Sequence, residues 1–189
     1  MSELIRTFIG VELDQEVRQA LNQIQEQLCD QALDIKWVET GNLHLTLKFL
    51  GETSPKKVKA IRENFPTFFK KLSSFEILLS ILGAFPNVLK PRIIWAGVSQ
   101  HTQKIVEVFN RLEKGLNILG LPKDQREFHP HVTLGRVRSF KNLNKLTAEL
   151  KRYQMPRAIT TRITTVAFFQ SQLTATGPIY KVLAKTIFP

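Results

Sequence analysis

Two stretches of this 189-residue chain place a histidine two positions before a threonine, "NLHLTLKFLG" at 42–51 and "HPHVTLGR" at 129–136. Residues i and i+2 of an extended strand share a face. His44 and Thr46 should therefore point one way while Leu45 and Leu47 enter a core, and His131 and Thr133 should oppose Val132 and Leu134 in the same manner. Two imidazoles and two hydroxyls, with no paired acids nearby, suit in-line displacement at phosphorus. One imidazole would take a proton from the attacking oxygen and the other would give one to the leaving oxygen opposite, roles open to a group titrating at about pH 6.5. The threonines would hydrogen-bond the non-bridging oxygens, where negative charge grows. This chemistry requires no metal and no other cofactor.

A lone histidine on a half-buried strand is more often structural than catalytic. The chain has 15 threonines, so composition alone puts one two places after a given histidine about 8% of the time. Two hits among four histidines exceed that expectation. The two units also lie nearly half the chain apart, as an internal duplication would leave them.

Other residues near the units carry weaker signals. Lys48 shares the alternation of His44 and Thr46 and would add positive charge at a phosphate, although a solvated lysine is the commoner outcome. Arg136 has the opposite parity to His131, so an ideal strand would point it away unless a bend at Gly135 brought it round. Phe8, Trp37, Phe49 and Phe128 could pack in the core or stack on an unpaired base. His129 makes "HPH" with His131, and with His44 these offer zinc-capable nitrogens, but Pro130 disturbs the alternation. His101 lacks the spacing and reads as a surface residue at a helix start.

These side chains need strands to present them and helices to back the strands. "RTFIGVEL" at 6–13 reads as a strand, followed by a helix from an Asp14 cap to about Cys29 with Val17, Leu21, Ile24 and Leu28 on one stripe. Strands follow at 35–38 and 43–51, the second closed by Gly51. Ser54 and Pro55 then start a helix to about Leu72. "SFEILLSILGAF" and "PRIIWAGV" read as strands. A helix over 102–119 carries Ile105, Val108, Phe109, Leu112, Leu116 and Leu119 before Gly120. After the second unit come a short helix near 142–153 and two β-rich stretches, "AITTRITTVAFFQSQL" and "IYKVLAKTIF", joined by "TATGP". The order predicts an α+β fold of two lobes, each an antiparallel sheet flanked by helices, within one domain spanning 1–189. A seam between the lobes is the natural site.

Composition narrows the partners. Lysine and arginine number 27 against 16 acids, a net charge of +11 that draws anions such as nucleic acid or another phosphate compound. No apolar run approaches the roughly 20 residues of a membrane span. The N-terminus does not read as a signal peptide, and a single cysteine, Cys29, agrees with a reducing compartment. The expectation is a cytoplasmic protein, monomeric and without a membrane partner.

In "RTFIGVEL", "KWVETGNLHLTLKFLGE", "PRIIWAGV", "EFHPHVTLGR" and a closing hairpin, in that order, the sequence resembles the two-histidine phosphoesterase superfamily. Within it, the chain most resembles the bacterial and archaeal RNA 2′,3′-cyclic phosphodiesterases, historically called 2′-5′ RNA ligases. The resemblance covers nearly the whole chain. It implies two intertwined, pseudo-symmetric lobes and a metal-free cleft that hydrolyses an RNA 2′,3′-cyclic phosphate to a 2′-phosphate. By motif, His44 would be the proton donor to the leaving 3′ oxygen and His131 the proton acceptor that activates water. Thr46 and Thr133 would hold phosphate oxygens, Arg136 would lie near the nucleotide, and Phe8 is the aromatic whose position matches the family. A weak, reversible 2′-5′ ligase activity could accompany hydrolysis.

Two rivals remain open on the sequence. A non-catalytic RNA-binding module would bind RNA in a salt-sensitive way regardless of the histidines. A related phosphodiesterase could act instead on small cyclic nucleotides or 2′-5′ oligoadenylates.

Overall fold

The computed structural model describes the chain except for residues 1–2, 30–32, 154, 156 and 176. Met1 and Ser2 of the N-terminal reading, and Thr176 of "TATGP", lie outside the described residues. The strands are β1 (Ile5–Glu12), β2 (Ile35–Trp37), β3 (His44–Thr53), β4 (Phe75–Phe85), β5 (Ile93–Gln100), β6 (His131–Val137), β7 (Ile159–Ile163), β8 (Thr165–Leu173) and β9 (Pro178–Ile187). The helices are α1 (Gln15–Leu28), α2 (Pro55–Phe68), α3 (Thr102–Ile118) and α4 (Leu143–Arg152), with one 3-10 turn at Thr40–Asn42. No helix among the described residues is long and apolar enough to cross a membrane.

The strands join antiparallel in the order β7-β4-β5-β6-β3-β1-β8-β9, and β2 pairs with β6. This is the α+β, two-lobed architecture expected. One half, β6-β5-β4-β7, meets the other, β3-β1-β8-β9, through a single residue pair, Leu45 with Val132. Both are fully buried, and each buried aliphatic side chain contributes about 1.5–3 kcal/mol. The halves also exchange strands: β4 follows α2 yet pairs with β5, while β8 comes late in the chain yet pairs with β1.

The apolar stripes land as their period requires. Val17, Leu21, Ile24 and Leu28 are buried on α1, and Ile105, Val108, Leu112 and Leu116 on α3. Phe109 is only half-buried and stacks on Phe128, ring centroids 4.2 Å apart. The Ser54 side chain accepts from the Lys57 N–H and caps α2, whereas the Asp14 side chain makes no cap hydrogen bond on α1.

Three boundaries differ from expectation. α2 stops at Phe68 rather than Leu72. β3 continues through Gly51, whose φ of 67° only glycine adopts readily, to Thr53. "AITTRITTVAFFQSQL" is two strands broken at Thr164, one on each half of the sheet: β7 pairs with β4, and β8 with β1 and β9.

Candidate active site

The Leu45–Val132 pair fixes the centre of the site. Because both side chains enter the core, their neighbours His44 and Thr46 on β3, and His131 and Thr133 on β6, stand together on the opposite face. The two imidazoles are near enough for His131 to act electrostatically on His44.

Each imidazole is held by its own approach segment. His44 Nδ1 lies 2.7 Å from the Asn42 carbonyl and His131 Nδ1 lies 2.6 Å from the His129 carbonyl. A carbonyl oxygen only accepts, so Nδ1 carries the proton in both rings and Nε2 is left for chemistry. The Thr46 hydroxyl lies 3.0 Å from His44 Nε2, donating to it when the ring is neutral and accepting from it when the ring is protonated.

Aromatic walls surround both rings. Phe8 lies 4.8 Å from His44 and Tyr180 meets it edge-on at 5.3 Å. Phe85 meets His131 edge-on at 5.0 Å and Trp95 flanks it at 6.0 Å. The Trp95 indole lies over Gly83 and Gly97, where added Cβ atoms would come within 2.3 and 2.6 Å of it. Burial accordingly lowers both histidine pKa values below the ordinary 6.5. For His44 the Asn42 carbonyl opposes the shift, while Arg136 and His131 add to it. For His131 the His129 carbonyl opposes it and the His129 ring adds to it.

A β-bulge follows the threonine of each unit. On β6, Thr133 pairs with Trp95 and Gly135 with Ile94, so Leu134 is an extra residue. An extra residue reverses the alternation beyond it. Gly135 then faces Trp37 and Ile35, and Arg136 returns to the cleft with Thr133. The expected bend is thus a bulge at Leu134. Its carbonyl is held by the Val38 N–H at 2.8 Å and by Gln25 Nε2 from α1 at 2.8 Å.

On β3, Thr46 pairs with Gly10 and Lys48 with Ile9, making Leu47 the extra residue. Here the reversal corrects the sequence reading. Lys48 leaves the face of His44 and is buried, ion-paired to Glu113 and donating to the Pro122 carbonyl at 2.9 Å. It adds no charge at the site. Phe49 takes the cleft-facing place and is 63% exposed.

A cleft of about 410 Å³ opens beside these residues, within the size range of small-ligand pockets. His44, Thr46, Thr133, Arg136 and Phe8 line it. His131 lies outside its lining, at the edge marked by Thr133. Phe8, only 2% exposed, stacks on Phe169 and forms the wall behind His44, which leaves its ring little free surface for a base. Phe128, stacked on Phe109, is not part of the lining, and no group of three metal-ligating side chains occurs among the described residues. His101 sits exposed at the start of α3, and its side chain makes no cap hydrogen bond there.

Tyr180, Arg6, Lys36 and Glu39 also line the cleft and carried no signal in the sequence reading. Tyr180 sits on the last strand and Arg6 on the first, far from either unit. The pairing of β1 with β3 brings Arg6 to the cleft, and the pairing of β8 with both β1 and β9 brings Tyr180 to His44.

A curled antiparallel sheet that presents two histidine–threonine pairs on one face defines a two-histidine phosphoesterase. The sequence profile described as "LigT like Phosphoesterase" matches the chain twice, at residues 11–95 and 97–180. His44 and His131 fall at equivalent depths in the two matches. The chain belongs to the LigT-like phosphoesterase family. It is 31% identical to an RNA 2′,3′-cyclic phosphodiesterase of Aquifex aeolicus over 96% of both chains. It is 32% identical to one of Methanocaldococcus jannaschii, over 95% of this chain and 98% of the relative. Among solved structures, TT0787 of Thermus thermophilus superposes with a TM-score of 0.78 at 26% identity, covering 95% of this chain and 96% of that one. Escherichia coli LigT complexed with 3′-AMP shares the fold, with a TM-score of 0.79 at 24% identity over 98% and 99% of the two chains.

Proposed function

We propose that this chain hydrolyses RNA 2′,3′-cyclic phosphate ends to 2′-phosphates, by acid–base catalysis between His44 and His131 and without a metal. One observation carries the reading: two imidazoles on neighbouring strands share a face, each with Nδ1 bound to a backbone carbonyl and Nε2 left for proton transfer. The matched relatives are RNA 2′,3′-cyclic phosphodiesterases over nearly their full length.

In this mechanism the His131 Nε2 lone pair takes a proton from water as its oxygen bonds to phosphorus. The P–O3′ bond breaks on the opposite side, and Nε2–H of protonated His44 gives its proton to the leaving 3′ oxygen. Thr46 and Thr133 hydrogen-bond the non-bridging oxygens. Arg136 stabilises the charge they accumulate, and Phe8 keeps the His44 ring in place. If an RNA 5′-hydroxyl replaces water, the same transfers form a 2′-5′ linkage, the weak ligase activity of this site. The exchange of β4 and β8 between halves supports a single domain of intertwined lobes. The lone Cys29 agrees with a reducing compartment, and we read the enzyme as cytoplasmic and monomeric.

The test is turnover of a nucleoside 2′,3′-cyclic phosphate with EDTA present. Wild type should turn over and yield a 2′-phosphate, and His44→Ala and His131→Ala should each reduce kcat by about 10²–10⁴. Tight, salt-sensitive RNA binding without turnover, unchanged in both variants, would replace the hydrolase with a binding module.

A further inference from the structure

The cleft carries cations at more than one place. Arg136 stands beside Thr133 and acts on His44, which puts it at the terminal phosphate, and Lys36 is its direct cross-strand partner. Like charges placed opposite each other across strands repel, so this end of the cleft is built to receive an anion. Arg6 enters from elsewhere. It lies on β1 opposite Glu52, four positions from Gly10, the cross-strand partner of Thr46, a backbone separation of roughly 13 Å at strand rise that the long arginine side chain can shorten.

Arg6 makes no ion pair among the described residues, even with Glu52, its cross-strand partner. It lines the cleft, and both Arg6 and Arg136 act on the Tyr180 hydroxyl between them. Glu39 is the one acid among the described lining residues. Phe49, 63% exposed, lies on the same strand pair between the level of Arg6 and that of Thr46. A ligand with a single phosphate on the threonines satisfies the Arg136 end and leaves Arg6 empty. Two phosphates separated by a nucleoside satisfy both.

We propose that Arg6 is a second phosphate subsite, binding the phosphodiester that joins the terminal nucleotide to the one before it, so that the cleft selects oligonucleotide ends over cyclic mononucleotides. This rests on the reading that a terminal phosphate binds at Thr46 and Thr133. Arg6 contributes affinity and not chemistry, because it contacts a bond that does not react.

The test compares a nucleoside 2′-monophosphate with a dinucleotide ending in a 2′-phosphate, both measured by calorimetry at fixed salt. Wild type should bind the dinucleotide about tenfold more tightly, as a charge-assisted phosphate contact supplies. Arg6→Ala should bring the two affinities together, Arg6→Lys should retain part of the advantage, and the salt slope for the dinucleotide should fall by about 0.7 in Arg6→Ala. Equal affinities in wild type, or an advantage undiminished in Arg6→Ala, would overturn the subsite. Turnover of a cyclic mononucleotide by the same preparation is a separate readout. It bears on the hydrolase, whereas the affinity ratio bears on Arg6.

Discussion

Gln25 on α1 donates its side-chain amide to the Leu134 carbonyl, 2.8 Å away, and to the Val38 carbonyl at 2.9 Å. Leu134 is the bulged residue that turns Arg136 toward the cleft, so a buried glutamine on a helix holds the backbone on which that arginine depends.

Gln25→Leu should leave those buried carbonyls short of a donor, destabilising the fold by about 1–3 kcal/mol, and should lower kcat/KM by roughly tenfold through misplaced Arg136. A purely structural role would change stability alone. If Gln25 acts through Arg136, the double variant Gln25→Leu with Arg136→Ala loses no more kcat/KM than Arg136→Ala does, a result that steady-state kinetics reads directly.

Activity should peak on the acid side. Burial lowers both histidine pKa values below 6.5 in the free enzyme, and the proposed hydrolysis needs one ring protonated and the other neutral. The bell-shaped profile of kcat/KM then centres between two lowered values, so its maximum lies below pH 6.5 whichever ring is the acid. A maximum above pH 7.5 would contradict the lowering by burial.

The same shifts tie stability to pH. A histidine whose folded pKa is lowered binds fewer protons folded than unfolded, so its contribution is fully present above about pH 6.5 and is lost as pH falls through the folded value. The Tm of wild type should drop on acidification from pH 7 in this window, and His44→Gln with His131→Gln should flatten that drop. Asp124 has a lowered carboxyl pKa, chiefly through the Arg126 N–H, and acts only at lower pH, below its ordinary 3.8.

Lys48 and Glu113 form an ion pair with both side chains under 10% exposed, and Glu113 also accepts from the Asp124 N–H at 2.8 Å. Glu113→Ala leaves a buried ammonium without its partner and should cost about 3–5 kcal/mol in denaturant unfolding. Lys48→Met combined with Glu113→Leu should recover most of that loss, because no uncompensated charge remains.

Local periodicity reached as far as a single strand or helix determines itself. Alternation put Leu45 and Val132 in the core and, with them, His44, Thr46, His131 and Thr133 on one face. The helical stripe placed Leu21 and Leu112 inward. It failed at Lys48 and needed help at Arg136 for one reason. A bulge is set by the partner strand, Gly10 and Ile9 for β3 or Trp95 and Ile94 for β6, and residues 47 and 134 are leucines with nothing local to mark them. Tyr180 and Arg6 were invisible because no spacing rule relates the first strand or the last to the two histidine units.

The pairing of β1 with β8 also sets how late in synthesis the cleft can close. His44 emerges from the ribosome early and its partner His131 later, yet β1 has no neighbour on its outer side until residues 165–173 have been made, and Tyr180 arrives after that. Chains dominated by such distant contacts order late. A nascent polypeptide therefore displays both histidines well before it owns a closed cleft.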